Sequence, residues 1–105
     1  MENSERRQQL EALLQEDPQD TFLRYALALE LAGTGDRESA VSQLATLLAH
    51  SPDYVPAYLQ VGKLSLELGR EDAARQWWQQ GILAAEKQRD FHAADEMRGM
   101  LHELS

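Results

Sequence analysis

The chain has 105 residues, no cysteine, and a formal charge of −8 from 18 Asp and Glu against 10 Lys and Arg. That length suits one domain with little volume for a deep enclosed active site, and the evenly spread acid excludes the basic face that nucleic acid or an anionic membrane surface requires. A disulfide framework and a Cys-ligated metal are excluded too, no run of about 18 apolar residues could span a bilayer, and the polar opening MENSERRQQLEALLQED lacks a signal-peptide core, so a soluble, cytoplasmic protein is expected.

Helical spacing runs through the chain and alternating β-branched runs are missing, so the expected class is all-α, with about six helices. Leu10, Leu13 and Leu14 mark a helix over 4 to 16. Asp20 is the candidate N-cap of a helix over 20 to 33, which is apolar nearly all round in FLRYALALELA, with Arg24 and Glu30 breaking it. After Gly35 a helix over 37 to 50 carries Leu44, Leu47 and Leu48 and ends before Pro52, and Asp36 and Glu38 supply acid at its start. Asp53 is the candidate N-cap for 54 to 68; Gly69 then leads into 71 to 87, with Glu71 and Asp72 in its first turn. Met97, Met100, Leu101 and Leu104 mark a last helix over 90 to 104.

The punctuation repeats. Asp17-Pro18 returns as Ser51-Pro52, Gly35 as Gly69 and Ala40 as Ala74, each 34 residues later. Apolar positions keep the same register: Leu27 with Val61, Ala28 with Gly62, Leu44 with Trp78, Leu48 with Ile82.

A helix-turn-helix unit of this period resembles the tetratricopeptide repeat (TPR). Residues 55 to 88 fit closely, with Tyr58, Gly62, Gly69, Ala74 and Trp78 at the aromatic, small, turn, small and aromatic positions of that family. Residues 21 to 54 fit through Leu27, Ala28, Gly35, Ala40, Leu44 and Pro52, with Arg24 where a bulky aromatic is usual. Leu10, Leu13, Leu14 and Pro18 match the second half of a preceding repeat, and 90 to 104 lacks the motif. The resemblance implies an α-solenoid of antiparallel hairpins forming one domain over 1 to 105: an N-terminal half repeat, two full repeats and a capping helix.

It also implies a protein or peptide partner held along a concave surface built by the first helix of each repeat. In this register the groove residues are Phe22, Tyr25, Ala26 and Leu29, then Leu59, Gln60 and Lys63, with Met97 a further possibility on the last helix. Tyr25, Leu29 and Gln60 occupy positions where some family members hold a chain-terminal carboxylate with basic and asparagine side chains, so that clamp is not expected. An apolar or basic amphipathic segment is the expected partner. The alternative reading places much of the apolar surface of 20 to 33 in the core. A homodimer using the same residues, or a small secretion-type chaperone, is the competing function.

Catalysis is not expected. Gly33-Thr34-Gly35 follows no strand and is too short for a dinucleotide fingerprint, and no phosphate loop or nucleophile elbow occurs. His92, Asp95 and Glu96 share one helix face, with His102 further along, but a solvated acidic first turn explains them more simply than a metal set does, so neither metal nor cofactor is expected.

Trp77 and Trp78 stand side by side, about 100° apart on a helix. Trp78 matches Leu44 and is expected in the core beside Tyr58 and Ala74. Trp77 matches polar Gln43, so its ring has two readings: a contact with the last helix through Phe91, Ala94 or Met97, or a secondary interface. Gly81, one turn on, is expected to relieve crowding by the two rings.

Overall fold

Four helix starts in this chain are fixed by short polar side chains. Ser4, Asp20, Asp36 and Asp90 each accept a hydrogen bond from the backbone N–H three residues on, at 3.0, 2.9, 3.1 and 3.2 Å. Each satisfies a donor that the first turn of a helix leaves without a partner. The structure, a computed structural model that describes residues 4–104, accordingly contains α1 (Glu5–Glu16), α2 (Thr21–Gly33), α3 (Arg37–His50), α4 (Val55–Glu67), α5 (Glu71–Lys87) and α6 (Phe91–Leu104). No strand occurs among the described residues, and each helix begins and ends within one residue of its expected range. The expected cap Asp53 is displaced by Tyr54, which makes no side-chain bond, and Pro56 in the first turn needs no donor satisfied.

The helices pack in chain order as antiparallel hairpins: α2 on α3 and α4 on α5, with α1 against α2, α3 against α4 and α6 against α5. Within each hairpin the turn carries one left-handed residue, Gly35 at φ 93° and Gly69 at φ 80°. The amide of the following residue, Asp36 or Arg70, then donates back to Leu31 or Ser65 across six residues, at 2.9 and 2.8 Å.

One close approach sets the α4–α5 hairpin. Trp78 is fully buried, its indole lies against the backbone of Gly62, and its Nε1–H donates to the Leu59 carbonyl at 3.3 Å. A Cβ on Gly62 would overlap that indole. The expected place of Trp78 beside Ala74 in the core is observed.

The repeat that departed from the family at Arg24 shows what Trp77 replaces. Tyr58 donates its hydroxyl to the Pro52 carbonyl at 2.6 Å; Arg24, one period earlier, donates through Nη2 to the Pro18 carbonyl at 3.0 Å. Arg24 also donates through Nη1 to Gln43 at 2.6 Å, while Tyr58 meets Trp77, the residue one period beyond Gln43, with ring centroids 6.4 Å apart. One repeat therefore closes this position with a polar pair and the next with an aromatic pair. Trp77 is half-buried, and its ring pairs with Tyr58 on α4.

Gly81 answers to different neighbours from those expected. A Cβ there would come within 2.5 Å of the Met97 sulfur and 2.6 Å of Tyr58 Cβ, so the missing side chain makes room for α6 and α4, not for the two indoles.

The period breaks after α5. That helix has 17 residues against 14 in α3, and its end copies the turn used inside a hairpin. Arg89 takes φ 60°, and Asp90 N–H donates to the Ala85 carbonyl at 2.8 Å. One period beyond Val55 is Arg89, yet α6 opens two residues later, at Phe91.

Two measurements test this core. Gly62→Ala should cost about 1–3 kcal/mol by overpacking, and Trp78→Ala about 3–5 kcal/mol by cavity formation, both read by urea unfolding. Burial, with Asp53 nearby, holds the Tyr58 phenol above its ordinary value. The unfolded chain therefore loses the proton first, and stability falls as pH rises past about 10. Tyr58→Phe should flatten that alkaline limb in unfolding midpoints measured from pH 8 to 11.

Candidate functional site

Side chains at 25 and 29 on α2 and at 59, 63 and 66 on α4 recur at the three- and four-residue spacing of one helix face. The fold brings the two faces together. Tyr25 is hydrogen-bonded to the side chain of Gln60 and packs edge-on against Tyr54, with ring centroids 5.3 Å apart at 62°. Its phenol is raised above the ordinary value by burial first and by Tyr54 second, with the Gln60 bond acting the other way.

All seven groove residues read from the sequence retain accessible surface. Phe22 is 67% exposed and Leu29 39%; Tyr25, Ala26, Leu59, Gln60 and Lys63 are half-buried. Phe22, Tyr25, Ala26 and Leu29 line a cleft of about 260 Å³ whose edge is formed by Arg6 of α1 and Glu30, an ion pair at 3.4 Å. Exposed Leu66 joins Leu59 and Lys63 on α4. Sequence reading passed over it although it lies seven residues beyond Leu59, about 20° from it around the helix.

Met97 does not belong to this surface. A strict period aligns it with Lys63, but the two-residue slip before α6 moves it to the position of Val61, and it is fully buried against α5. The polar residues singled out on α6 point to solvent. His92, Asp95 and Glu96 are exposed, Asp95 is paired with Arg98 at 2.8 Å, and Arg98 also pairs with Glu86. No three His, Asp or Glu side chains converge on a metal position among the described residues.

A larger cleft of about 720 Å³ lies elsewhere, between the α3–α4 turn and the C-terminal half of α5. Pro52, Asp53, Tyr58, Ala84, Lys87 and Gln88 line it with Leu83, which is 66% exposed. The sequence signal was available: one period before Leu83 the chain has Ala49, so a large apolar residue has been added where the first repeat has a small exposed one. No described helix is long and apolar enough to cross a membrane.

Known proteins share this architecture. A TPR repeat-containing protein of Pseudomonas aeruginosa is 30% identical over 95 residues, 90% of each chain. A tetratricopeptide repeat domain protein from Salinibacter ruber, solved in solution, superposes with TM-score 0.76 at 34% identity, over 80% of this chain and 85% of its own. A solution structure from Bordetella parapertussis superposes with TM-score 0.81 at 28% identity, over 99% of this chain and 89% of its own. The tetratricopeptide repeat family matches residues 1–90, so the stacked hairpins, the 34-residue register and the sequence agree that the chain belongs to that family.

Proposed function

We propose that this protein is an interaction module that holds an apolar or basic amphipathic segment of a partner protein along the face built by α2 and α4. The fold supports protein–protein interaction in general, and the family is typically non-catalytic. The observation that carries the specific reading is the solvent exposure of Phe22 and Leu29, which line one cleft with Tyr25 and Ala26. Large apolar side chains grouped at one exposed place mark interaction surfaces, whereas scattered ones do not. Tyr25, tied to Tyr54 and Gln60, gives that surface a rigid aromatic floor. Lys63 is the cation in the stripe, and the net charge of −8 favours encounter with a basic segment.

A second reading, self-association, is favoured by Leu83 in the larger cleft. Sedimentation across a wide concentration range separates the two: a dimer lost on Leu83→Asp assigns that cleft to a second copy, and a monomer throughout removes this reading.

The groove reading is tested with Leu29→Asp and Leu59→Asp in the full chain. Both positions retain accessible surface, so helical content by circular dichroism should hold while binding of a protein recovered by the wild-type chain falls at least about tenfold, the loss of one well-buried apolar anchor. Unchanged binding by both folded variants would remove this face from consideration.

A further inference from the structure

The cleft at Leu83 has a counterpart in the first repeat, and the counterpart is closed. Pro18, Gln19 and Arg24, one period before Pro52, Asp53 and Tyr58, line it with His50, one period before Ala84; about 10 Å³ is left there, against about 720 Å³ in the second repeat. The two repeats differ at the positions that matter. Ala84 lacks the bulk of His50, and Leu83 stands where the first repeat has Ala49. Neutral Gln19 gives way to Asp53 on the wall formed by the α3–α4 turn, while Lys87 lines the wall formed by α5. Gln88 fastens that turn to α5 by donating its side-chain amide to the Asp53 carbonyl, so the walls keep their spacing. Glu86, which also lines the cleft, is paired with Arg98. The Asp53 carboxylate and the Lys87 ammonium are exposed, too far apart to pair with each other, and ion-paired with nothing else among the described residues.

A surface fits a second copy of itself across a twofold axis when each group in it finds its complement elsewhere in the same surface. This cleft meets that condition twice. Leu83 is a large apolar side chain, 66% exposed, and Pro52, Tyr58 and Ala84 of the same cleft offer it apolar cover. Asp53 and Lys87 are unpaired charges of opposite sign on opposite walls. We propose that the cleft is a symmetric dimer interface, in which Leu83 of each copy enters the cleft of the other and Lys87 of each copy pairs with the partner's Asp53. The proposal rests on the self-association reading and adds the charge exchange that sets the geometry of the dimer. Chains that each carry a charge of −8 repel one another at a distance, so their contact needs a place where opposite charges meet, and complementary pairs of this kind fix the register of an interface. A foreign segment would have to bring a matching pair of charges around an apolar residue; a second copy brings both by symmetry.

The test is sedimentation of the full chain over a wide concentration range, for the wild type, Asp53→Lys, Lys87→Asp and the double variant, with folding checked by circular dichroism. Each single reversal sets like charges against each other at both symmetry-related pairs and should raise the dimer dissociation constant at least about tenfold. Asp53→Lys lowers the net negative charge and Lys87→Asp raises it, so weakening by both does not come from overall repulsion. An equimolar mixture of the two single variants restores opposite charges at both pairs and should form a mixed dimer with an affinity near that of the wild type, as should the double variant with itself. A dimer that survives both reversals but is lost on Leu83→Asp, or single variants that stay monomeric when mixed, would overturn the charge exchange and leave self-association standing. A wild-type chain that is monomeric throughout would overturn both and leave the cleft to a different partner.

Discussion

The contact on which the rest of the molecule depends is the Trp78 indole against the bare backbone of Gly62. Interiors are packed as tightly as organic crystals, so a distance of closest approach between two helices is set by the largest ring and the smallest residue that meet there. Here the ring is the largest side chain available and its partner has none. That pairing fixes how near α4 and α5 stand, which in turn fixes where Tyr58 and Gly81 sit, and Met97 of α6 fills the remaining notch. A single steric condition is thereby relayed across three helices. The indole N–H, which would otherwise be an unsatisfied buried donor, is met by the Leu59 carbonyl.

Internal repetition offers a control that a single chain rarely provides, because each repeat shows what the other does with the same position. Arg24 and Tyr58 reach the same proline carbonyl with different chemistry, and Gln43 and Trp77 have changed in step with them. The position tolerates either solution because what it requires is a donor for that carbonyl and lateral support for the donor. A guanidinium is supported by an amide oxygen, and a phenol by a neighbouring ring. Exchange of one member alone would leave a half-buried polar group facing an aromatic surface.

Much of this was legible in the sequence, for a physical reason. The helices and their partners follow from spacing, caps and a period, all of which are local properties repeated along the chain, and Trp78 could be placed in the core from its match with Leu44 alone. The accessible positions proposed as a groove were readable for the same reason, as a register on α2 and α4. What escaped was whatever depended on contact between side chains or on a change of phase. The ring contact of Trp77 with Tyr58 escaped because the two are 19 positions apart and no spacing rule links them. Met97 was placed on the surface because the period was extended past the point where it stops. Leu83 and Leu66 were overlooked because exposure of a leucine is decided by what fails to cover it, and a sequence pattern records only what is present.

The extra length of α5 has a consequence for how the array can be altered. Three residues beyond the length of α3 add about 4.5 Å of helix and most of a turn of rotation, so α6 arrives out of step with the helices it otherwise imitates. Duplication of a 34-residue unit upstream of α5 preserves every internal contact, since each new joint repeats an existing one. The same unit grafted after Lys87 meets a helix in the wrong phase. Tandem copying is thus free to lengthen the array upstream of α5, while the α4–α5 hairpin and α6 keep their own phase.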